Sequence, residues 1–132
     1  MAIVLDASVA IAWAAETELA LPVLHRVRDE APHAPMLWWY EVHNALMMKE
    51  RRGLLPAATA DTFMDLLAGL GVALDTTPDR AAVVGLARTH RLSVYDAAYL
   101  ELAQRRAMAL ASLDRALVTA AKAEGVACLV EA

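Results

Sequence analysis

Four acidic residues stand out because each lies at or near the start of a predicted helix: Asp6, Glu41, Asp96 and Asp114. Carboxylate oxygens, together with water, are the ligands that Mg²⁺ and Mn²⁺ prefer in proteins. A divalent ion held by such ligands can activate water and stabilise the charge that develops on a phosphate during in-line displacement. These residue types therefore predict a metal centre suited to phosphodiester hydrolysis, if the fold brings the four side chains together.

The elements that must position these acids follow from the hydrophobic pattern. Apolar runs predict strands near 3–5, 35–37, 72–74, 109–111 and 127–129, and helical periodicity predicts helices over 8–15, 19–30, 39–52, 56–68, 78–90, 95–106 and 115–124. Strands separated by helices pair in parallel through right-handed crossovers. The predicted fold class is α/β, a three-layer α/β/α sandwich with a small, mostly parallel central sheet in one domain over residues 1–132.

All four acids are predicted at one edge of this sheet. Asp6 follows the first strand and Asp114 follows the strand at 109–111, and parallel strands end at the same edge. Glu41 and Asp96 are placed in the first turns of helices that begin at that edge. Carboxylates gathered in this way repel one another unless a cation lies among them.

Helical periodicity predicts which way the two helical acids point. Asp96 shares the core side of its helix with Tyr99, whereas Glu101 is predicted on the solvated side. Glu41 shares its stripe with Asn44. Both site acids are therefore expected to lean towards the core edge, where a carboxylate must be paired, neutralised or bound to metal.

Each acid also has a purely structural interpretation. Asp6 could cap the first helix, Asp96 could complement the dipole of its helix, and Asp114 could be the N-cap of the last helix. Taken singly, these interpretations are as good as a role in metal binding. The joint placement of the acids at one edge favours the metal site.

Three further residues are candidates for supporting roles. Ser8 and Ser112 lie close to the site acids and could hydrogen-bond a ligand oxygen or a metal-bound water, although capping a turn is an equally good explanation. Arg115 adjoins Asp114 and is the first choice for a phosphate contact, with a plain helix-surface charge as the alternative. The four histidines are scattered without the spacing of zinc ligands.

Composition restricts the class of protein. A hydrophobic content of 59% is high for a soluble domain of 132 residues and predicts an oligomer or a permanent partner. The net charge of −4 is unusual for a nucleic-acid binder, but it is compatible with one if metal consumes several acids. Cys128, the only cysteine, is predicted to be a small buried residue. Without a signal peptide or an apolar run long enough to cross a membrane, the chain is expected in the cytoplasm.

Adjacent tryptophans suggest a contact surface close to the site. Trp38 and Trp39 cannot easily both point into the core, so one of them is expected to face a partner. We expect this surface to bind a protein partner.

Four blocks of sequence around the acids resemble the motifs of the PIN-domain VapC toxins, in the same order. They are VLDASV at 4–9, EVHNAL at 41–46, LSVYDAAYLELA at 92–103 and SLDRAL at 112–117. The third block is the most specific, and Ser112 stands where relatives often carry Thr, so the hydroxyl is kept. The blocks span nearly the whole chain.

This resemblance implies a Mg²⁺- or Mn²⁺-dependent endoribonuclease that is the toxin of a type II toxin–antitoxin pair, with Asp6, Glu41, Asp96 and Asp114 as its acidic quartet. It also implies a homodimer and a cognate VapB-like antitoxin. Three alternatives stay open: a PIN nuclease of RNA maturation without an antitoxin, a non-catalytic module whose acids hold a structural ion or cap helices, and an aspartate-nucleophile phosphatase. The phosphatase is disfavoured because Ser8 stands where a second aspartate is normally needed.

Overall fold

A parallel β-sheet forms the centre of the molecule. The structure, a computed structural model, describes residues 2–15 and 30–129. Within them lie four strands, β1 (Ile3–Leu5), β2 (Pro32–Pro35), β3 (Ala73–Asp75) and β4 (Ala109–Ala111), in the spatial order β3-β2-β1-β4. Every paired strand is parallel to its neighbour. The predicted α/β class with a mostly parallel sheet is confirmed.

Helices connect and cover the strands. In the described ranges they are α1 (Ala7–Ala15), α2 (Leu37–Arg51), α3 (Ala57–Gly69), α4 (Arg80–His90), α5 (Val94–Arg106) and α6 (Arg115–Ala123). Each begins and ends within two residues of its prediction. The helix predicted over 19–30 falls outside the described residues except for Glu30, which lies in a bend. No helix in the described ranges is long and apolar enough to cross a membrane.

The core confirms a sheet covered on both faces. Successive residues of a strand point to opposite faces, yet Ile3, Val4 and Leu5 are all fully buried. Such a strand needs helices on both sides, as in a three-layer sandwich. Helix α5 supplies one of the covering surfaces, because Leu100 and Ala103 belong to the same buried cluster as β1.

The second strand and the helix after it begin earlier than predicted. β2 covers Pro32–Pro35 instead of 35–37, because Met36 already forms the turn and Leu37 begins α2. Glu41 is therefore the fifth residue of α2, and its predicted place in the first turn is wrong. The buried residues of α2 are Trp38, Val42 and Leu46, so the stripe predicted for Glu41 with Asn44, which is exposed, is not the core face.

The strand predicted at 127–129 is also wrong within the described residues. Cys128 forms only an isolated bridge with Leu110 of β4, and it is half-buried where full burial was expected. Strand β3, at the opposite edge of the sheet, lies one residue later than predicted, over Ala73–Asp75. Neither difference moves the edge of the sheet at which the acids were expected.

The faces predicted for α5 are wrong at Glu101. The sequence predicts this residue on the solvated side of the helix, but only 2% of its surface is exposed. Its Oε2 accepts a hydrogen bond of 2.7 Å from Nε of Arg105, one turn along the helix, and Arg105 also donates to Asp75 at the end of β3 over 2.6 Å. Arg106 donates to the same aspartate at 3.1 Å. These four residues are called the carboxylate–arginine cluster below.

Charge pairing makes the burial of the two carboxylates of this cluster tolerable, since a buried carboxylate needs a partner. The hydrogen bonds of Arg105 lower the pKa of Asp75 below its ordinary value, against the opposing effect of burial. The cluster also engages Arg105 and Arg106, so their basic groups are occupied by carboxylates of the same chain.

Candidate active site

Two of the site acids follow strands that are neighbours in the sheet. The last residue of β1, Leu5, is paired with Ala111 at the end of β4, and the backbone N–H of Asp6 donates to the carbonyl oxygen of Ala111 at 2.9 Å. Asp6 thus lies immediately beyond β1, and Asp114 lies three residues beyond β4. The predicted meeting of these two segments at the carboxyl edge of the sheet agrees with the strand register.

Two serine hydroxyls fix the carboxylate of Asp6. Ser8 and Ser112 both donate to its Oδ2, at 2.6 and 2.7 Å. Each serine oxygen is fixed in turn by a backbone N–H of the segment after β4, that of Leu113 for Ser8 and that of Asp114 for Ser112. Both serines therefore contact the first site acid directly, and the hydrogen bonds to Oδ2 leave Oδ1 without a hydrogen bond from the described residues.

Glu41 reaches the site from α2 and is held by a residue that the sequence analysis did not single out. The hydroxyl of Tyr99 donates to Oε1 of Glu41 at 2.6 Å. Tyr99 is fully buried, whereas Glu41 is half-buried. The signal that could have identified Tyr99 was its position three residues after Asp96 on the buried face of α5, where a buried phenol needs a polar partner.

Both remaining acids lie at helix N-termini. Asp96 is in the first turn of α5, as predicted, and its backbone N–H donates to Oγ of the N-cap Ser93 at 3.0 Å. Asp114 is the N-cap of α6, with its Oδ1 accepting from the backbone N–H of Leu117 at 2.9 Å. The capping interpretation of Asp114 is therefore confirmed, and it leaves the second carboxylate oxygen free of that role.

The acids are close enough to influence one another electrostatically. Burial raises the pKa of Asp6, an effect that its two serine hydrogen bonds oppose and that the negative charges of Asp96 and Asp114 reinforce. Burial likewise raises the pKa of Glu41, an effect that the hydrogen bond from Tyr99 opposes and that the charges of Asp6 and Asp96 reinforce. The pKa of Asp96 is raised by burial and then by Asp114.

No basic side chain of the described residues forms an ion pair with any of the four acids. Hydrogen bonds stabilise these carboxylates in part, but no positive side chain of the described residues offsets their mutual repulsion. A cluster of this kind can protonate or bind a cation to relieve the repulsion.

The donor set fits a hard divalent cation in its chemistry. All four side chains offer carboxylate oxygens, which suit Mg²⁺ or Mn²⁺. The described residues contain no group of three or more His, Cys, Asp or Glu side chains already arranged to hold a metal ion. Hydrogen bonds to hydroxyls, rather than a common centre, set the present orientations of Asp6 and Glu41.

The candidate phosphate contact is accessible. Arg115 is exposed at the first position of α6, directly after Asp114. It lines a shallow groove of about 500 Å³ together with His90 and Thr119. Arg105 and Arg106 are held in the carboxylate–arginine cluster, so among these arginines Arg115 is the accessible one beside a site acid.

Exposed aromatic residues flank the helical acids. Trp38 is 3% exposed and Trp39 is 45% exposed, which agrees with the expectation that only one of the pair faces inward. The ring of Trp39 stacks on His43 with 4.0 Å between centroids. Tyr40 and Tyr95, the residues immediately before Glu41 and Asp96, are also exposed.

Comparison with known proteins agrees with this architecture. The profile of the PIN-domain family matches residues 3–123. The fold is similar to the crystal structure of PAE2754 from Pyrobaculum aerophilum, with a TM-score of 0.74 and 26% identity over 97% of this chain and 92% of that one. It is also similar to FitAcB from Neisseria gonorrhoeae, with a TM-score of 0.65 and 18% identity over 96% of each chain, a likeness that concerns the fold alone. Comparison with curated proteins gave no match.

The family match covers most of the chain and spans the positions of all four acids, and the α/β fold with its mostly parallel sheet agrees with it. The chain belongs to the PIN-domain family, whose members are generally metal-dependent nucleases.

Proposed function

We propose that this protein is a Mg²⁺- or Mn²⁺-dependent endoribonuclease whose site is formed by Asp6, Glu41, Asp96 and Asp114. The observation that carries the proposal is electrostatic. Three carboxyl groups from separate segments have raised pKa values, to which burial and their mutual repulsion contribute, and none has a basic partner among the described residues. Together with the nuclease character of the family, this favours a cation-binding site.

In this proposal, the residues of the site have different roles in hydrolysis. When bound, a divalent ion supplies an activated water and neutralises charge on the phosphate. Asp6 is held by the hydroxyls of Ser8 and Ser112, so it presents a fixed carboxylate, and Asp96 and Asp114 would supply further carboxylate oxygens to the ion. Glu41, with its raised pKa, is suited to accept a proton from water. Arg115 contacts an RNA phosphate.

We further propose that the protein is a VapC-type toxin that acts in the cytoplasm as a homodimer and is blocked by a cognate VapB-like antitoxin. The four motif blocks support this assignment. The exposed Trp39, Tyr40 and Tyr95 beside the site provide apolar area that a bound inhibitor could cover. A member of the family that matures RNA would need no such inhibitor, so co-purification of a small protein partner separates the two roles.

A non-catalytic module is the second candidate, and one observation favours it. Asp114 is engaged as a helix cap, and the acids are not yet arranged around a common centre. In that case the carboxylates would serve only the fold, and the protein would bind nucleic acid or a partner without cleaving it.

Ribonuclease assays separate these candidates. We expect total RNA to be cleaved with Mn²⁺ or Mg²⁺, not with EDTA, and not by Asp6→Asn or Asp96→Asn. Asp114→Asn keeps a good capping residue and removes only the charge, so it should also abolish cleavage. Its matched control is Asp79→Asn, which changes the N-cap of α4 and should remain active. Full activity of Asp6→Asn, or the absence of metal-dependent cleavage by the wild type, would reject the proposal.

A further inference from the structure

We propose that Tyr99 is a positioning residue of this site, which orients Glu41 for divalent-cation binding through its phenolic hydroxyl. The inference rests on the proposed function. The hydrogen bond from Tyr99 to Oε1 of Glu41 is short, at 2.6 Å, and it joins two helices through residues 58 positions apart in the sequence.

The surroundings of the hydroxyl support this role. Tyr99 is fully buried on α5, so its ring has one fixed place in the core. The hydroxyl also lies beside the backbone of Ala7, the residue that follows Asp6. It therefore donates to Glu41 from a fixed position next to the segment that carries the first site acid.

The geometry also explains what the hydrogen bond would do. Glu41 is a half-buried residue on the second turn of α2, and its flexible side chain has no ion-pair partner among the described residues. One donor on Oε1 selects a single side-chain orientation and leaves the lone pairs of Oε2 for a cation or its water. Groups that hydrogen-bond a metal ligand typically change metal affinity or activity by roughly 10- to 100-fold when they are lost.

A merely structural role is the competing explanation, because any buried tyrosine needs a partner for its hydroxyl. The two explanations differ in what depends on Glu41. A structural hydroxyl contributes to folding whether or not a cation binds. A positioning hydroxyl affects cation affinity, and only while the Glu41 carboxylate is present.

A double-mutant cycle measured with Mn²⁺ tests this dependence. Mn²⁺ binding to the metal-free protein is followed by the electron paramagnetic resonance signal of the free ion for the wild type, Tyr99→Phe, Glu41→Ala and the double variant. Tyr99→Phe keeps the buried ring and removes only the hydroxyl. Tyr95→Phe, the same substitution at an exposed position of the same helix, is the matched control.

We expect Tyr99→Phe to bind Mn²⁺ about 10- to 100-fold more weakly than the wild type, with Tyr95→Phe unchanged. In the Glu41→Ala background, the further change Tyr99→Phe should have no effect on affinity. With RNA as substrate at a fixed subsaturating Mn²⁺ concentration, Tyr99→Phe should lower kcat more than it raises KM.

Other results overturn the proposal. Unchanged Mn²⁺ affinity in Tyr99→Phe, an equal loss with and without Glu41, or a Tyr99→Phe protein that fails to fold would assign the hydroxyl to stability alone. If Asp6→Asn still weakens Mn²⁺ binding in these cases, the proposed function survives and only the role of Tyr99 is lost. If the wild type itself binds no Mn²⁺, both proposals fall.

Discussion

Replacing Asp6 by Asn should stabilise the protein in the absence of metal and remove its stabilisation by metal. Asn keeps an oxygen that can accept the hydrogen bonds of Ser8 and Ser112, and it removes a buried negative charge that Asp96 and Asp114 repel. Relief of such strain at a functional site typically contributes about 0.5–2 kcal/mol. For a chain of this length, 1 kcal/mol corresponds to roughly 3–5 °C in Tm.

Bound metal should make the wild type more stable than Asp6→Asn. At a free Mn²⁺ concentration about 100 times Kd, the wild type gains about 2.7 kcal/mol from binding, or roughly 10 °C in Tm. Asp6→Asn should gain much less, because it has lost a ligand. The wild type is then the less stable protein in EDTA and the more stable one in Mn²⁺.

The difference in stability between the wild type and Asp6→Asn in EDTA should also depend on pH. Because the folded-state pKa of Asp6 is raised above its ordinary value of 3.8, the fold favours its protonated form. Its contribution to stability is present at low pH and lost as the pH rises through the folded-state pKa. The advantage of Asp6→Asn should therefore be small near pH 4 and grow towards neutral pH.

Differential scanning calorimetry of the wild type and Asp6→Asn, with EDTA and with Mn²⁺, measures these shifts. Asp79→Asn, a cap on α4, is the control and should respond to Mn²⁺ as the wild type does. The reasoning is refuted if Asp6→Asn is less stable than the wild type in EDTA, as a purely structural carboxylate would require, or if both gain equally from Mn²⁺.

Three further outcomes are expected. Arg105→Met should lower the free energy of unfolding at pH 7 by about 2–3 kcal/mol, because it leaves the buried carboxylate of Glu101 without a basic partner and Asp75 with Arg106 alone. Arg106→Met should lower it by less than about 1 kcal/mol, because Asp75 keeps Arg105. Urea unfolding measures both changes, and equal losses would contradict the carboxylate–arginine cluster. Arg115→Ala should weaken RNA binding in a filter assay without changing Mn²⁺ affinity, and unchanged RNA affinity would remove its role. Trp38→Ala should lower the free energy of unfolding by about 3–5 kcal/mol, because Trp38 is buried, and Trp39→Ala should lower it by less than about 1 kcal/mol, because Trp39 is exposed. A larger loss of thermal stability in Trp39→Ala than in Trp38→Ala would contradict this difference in burial.

The edge of the sheet could be predicted from sequence because its determinants are local. A continuous apolar run before Asp6 is typical of a strand buried on both faces, and the run at 109–111 has the same character. The cap residues Ser93 and Asp114 mark where α5 and α6 begin. Local signals were therefore sufficient to place three of the acids at element boundaries.

The second strand was misplaced for a physical reason. β2 begins and ends with proline, a residue that is depleted from strand interiors, so its sequence favours a turn. Its place between β1 and β3 depends on neighbours that local periodicity does not contain. The resulting shift moved the start of α2 and, with it, the turn assigned to Glu41.

Partners distant in sequence account for the other errors. Glu101 looks like a surface residue beside Gln104 and Arg105, and it is buried because Arg105 also reaches Asp75 on β3. Tyr99 looks like core packing, and its partner Glu41 lies on another helix. Tertiary contacts of this kind decide the role of a polar residue, and periodicity cannot report them.

The central claim is that the four carboxylates bind one or more divalent cations. Anomalous diffraction at the manganese edge, from crystals grown at a Mn²⁺ concentration that supports RNA cleavage, tests it most directly. We predict a manganese peak coordinated by carboxylate oxygens of Asp6, Asp96 and Asp114, with Glu41 beside it. Side chains still bound only to hydroxyls and backbone, with no manganese among them, would contradict it.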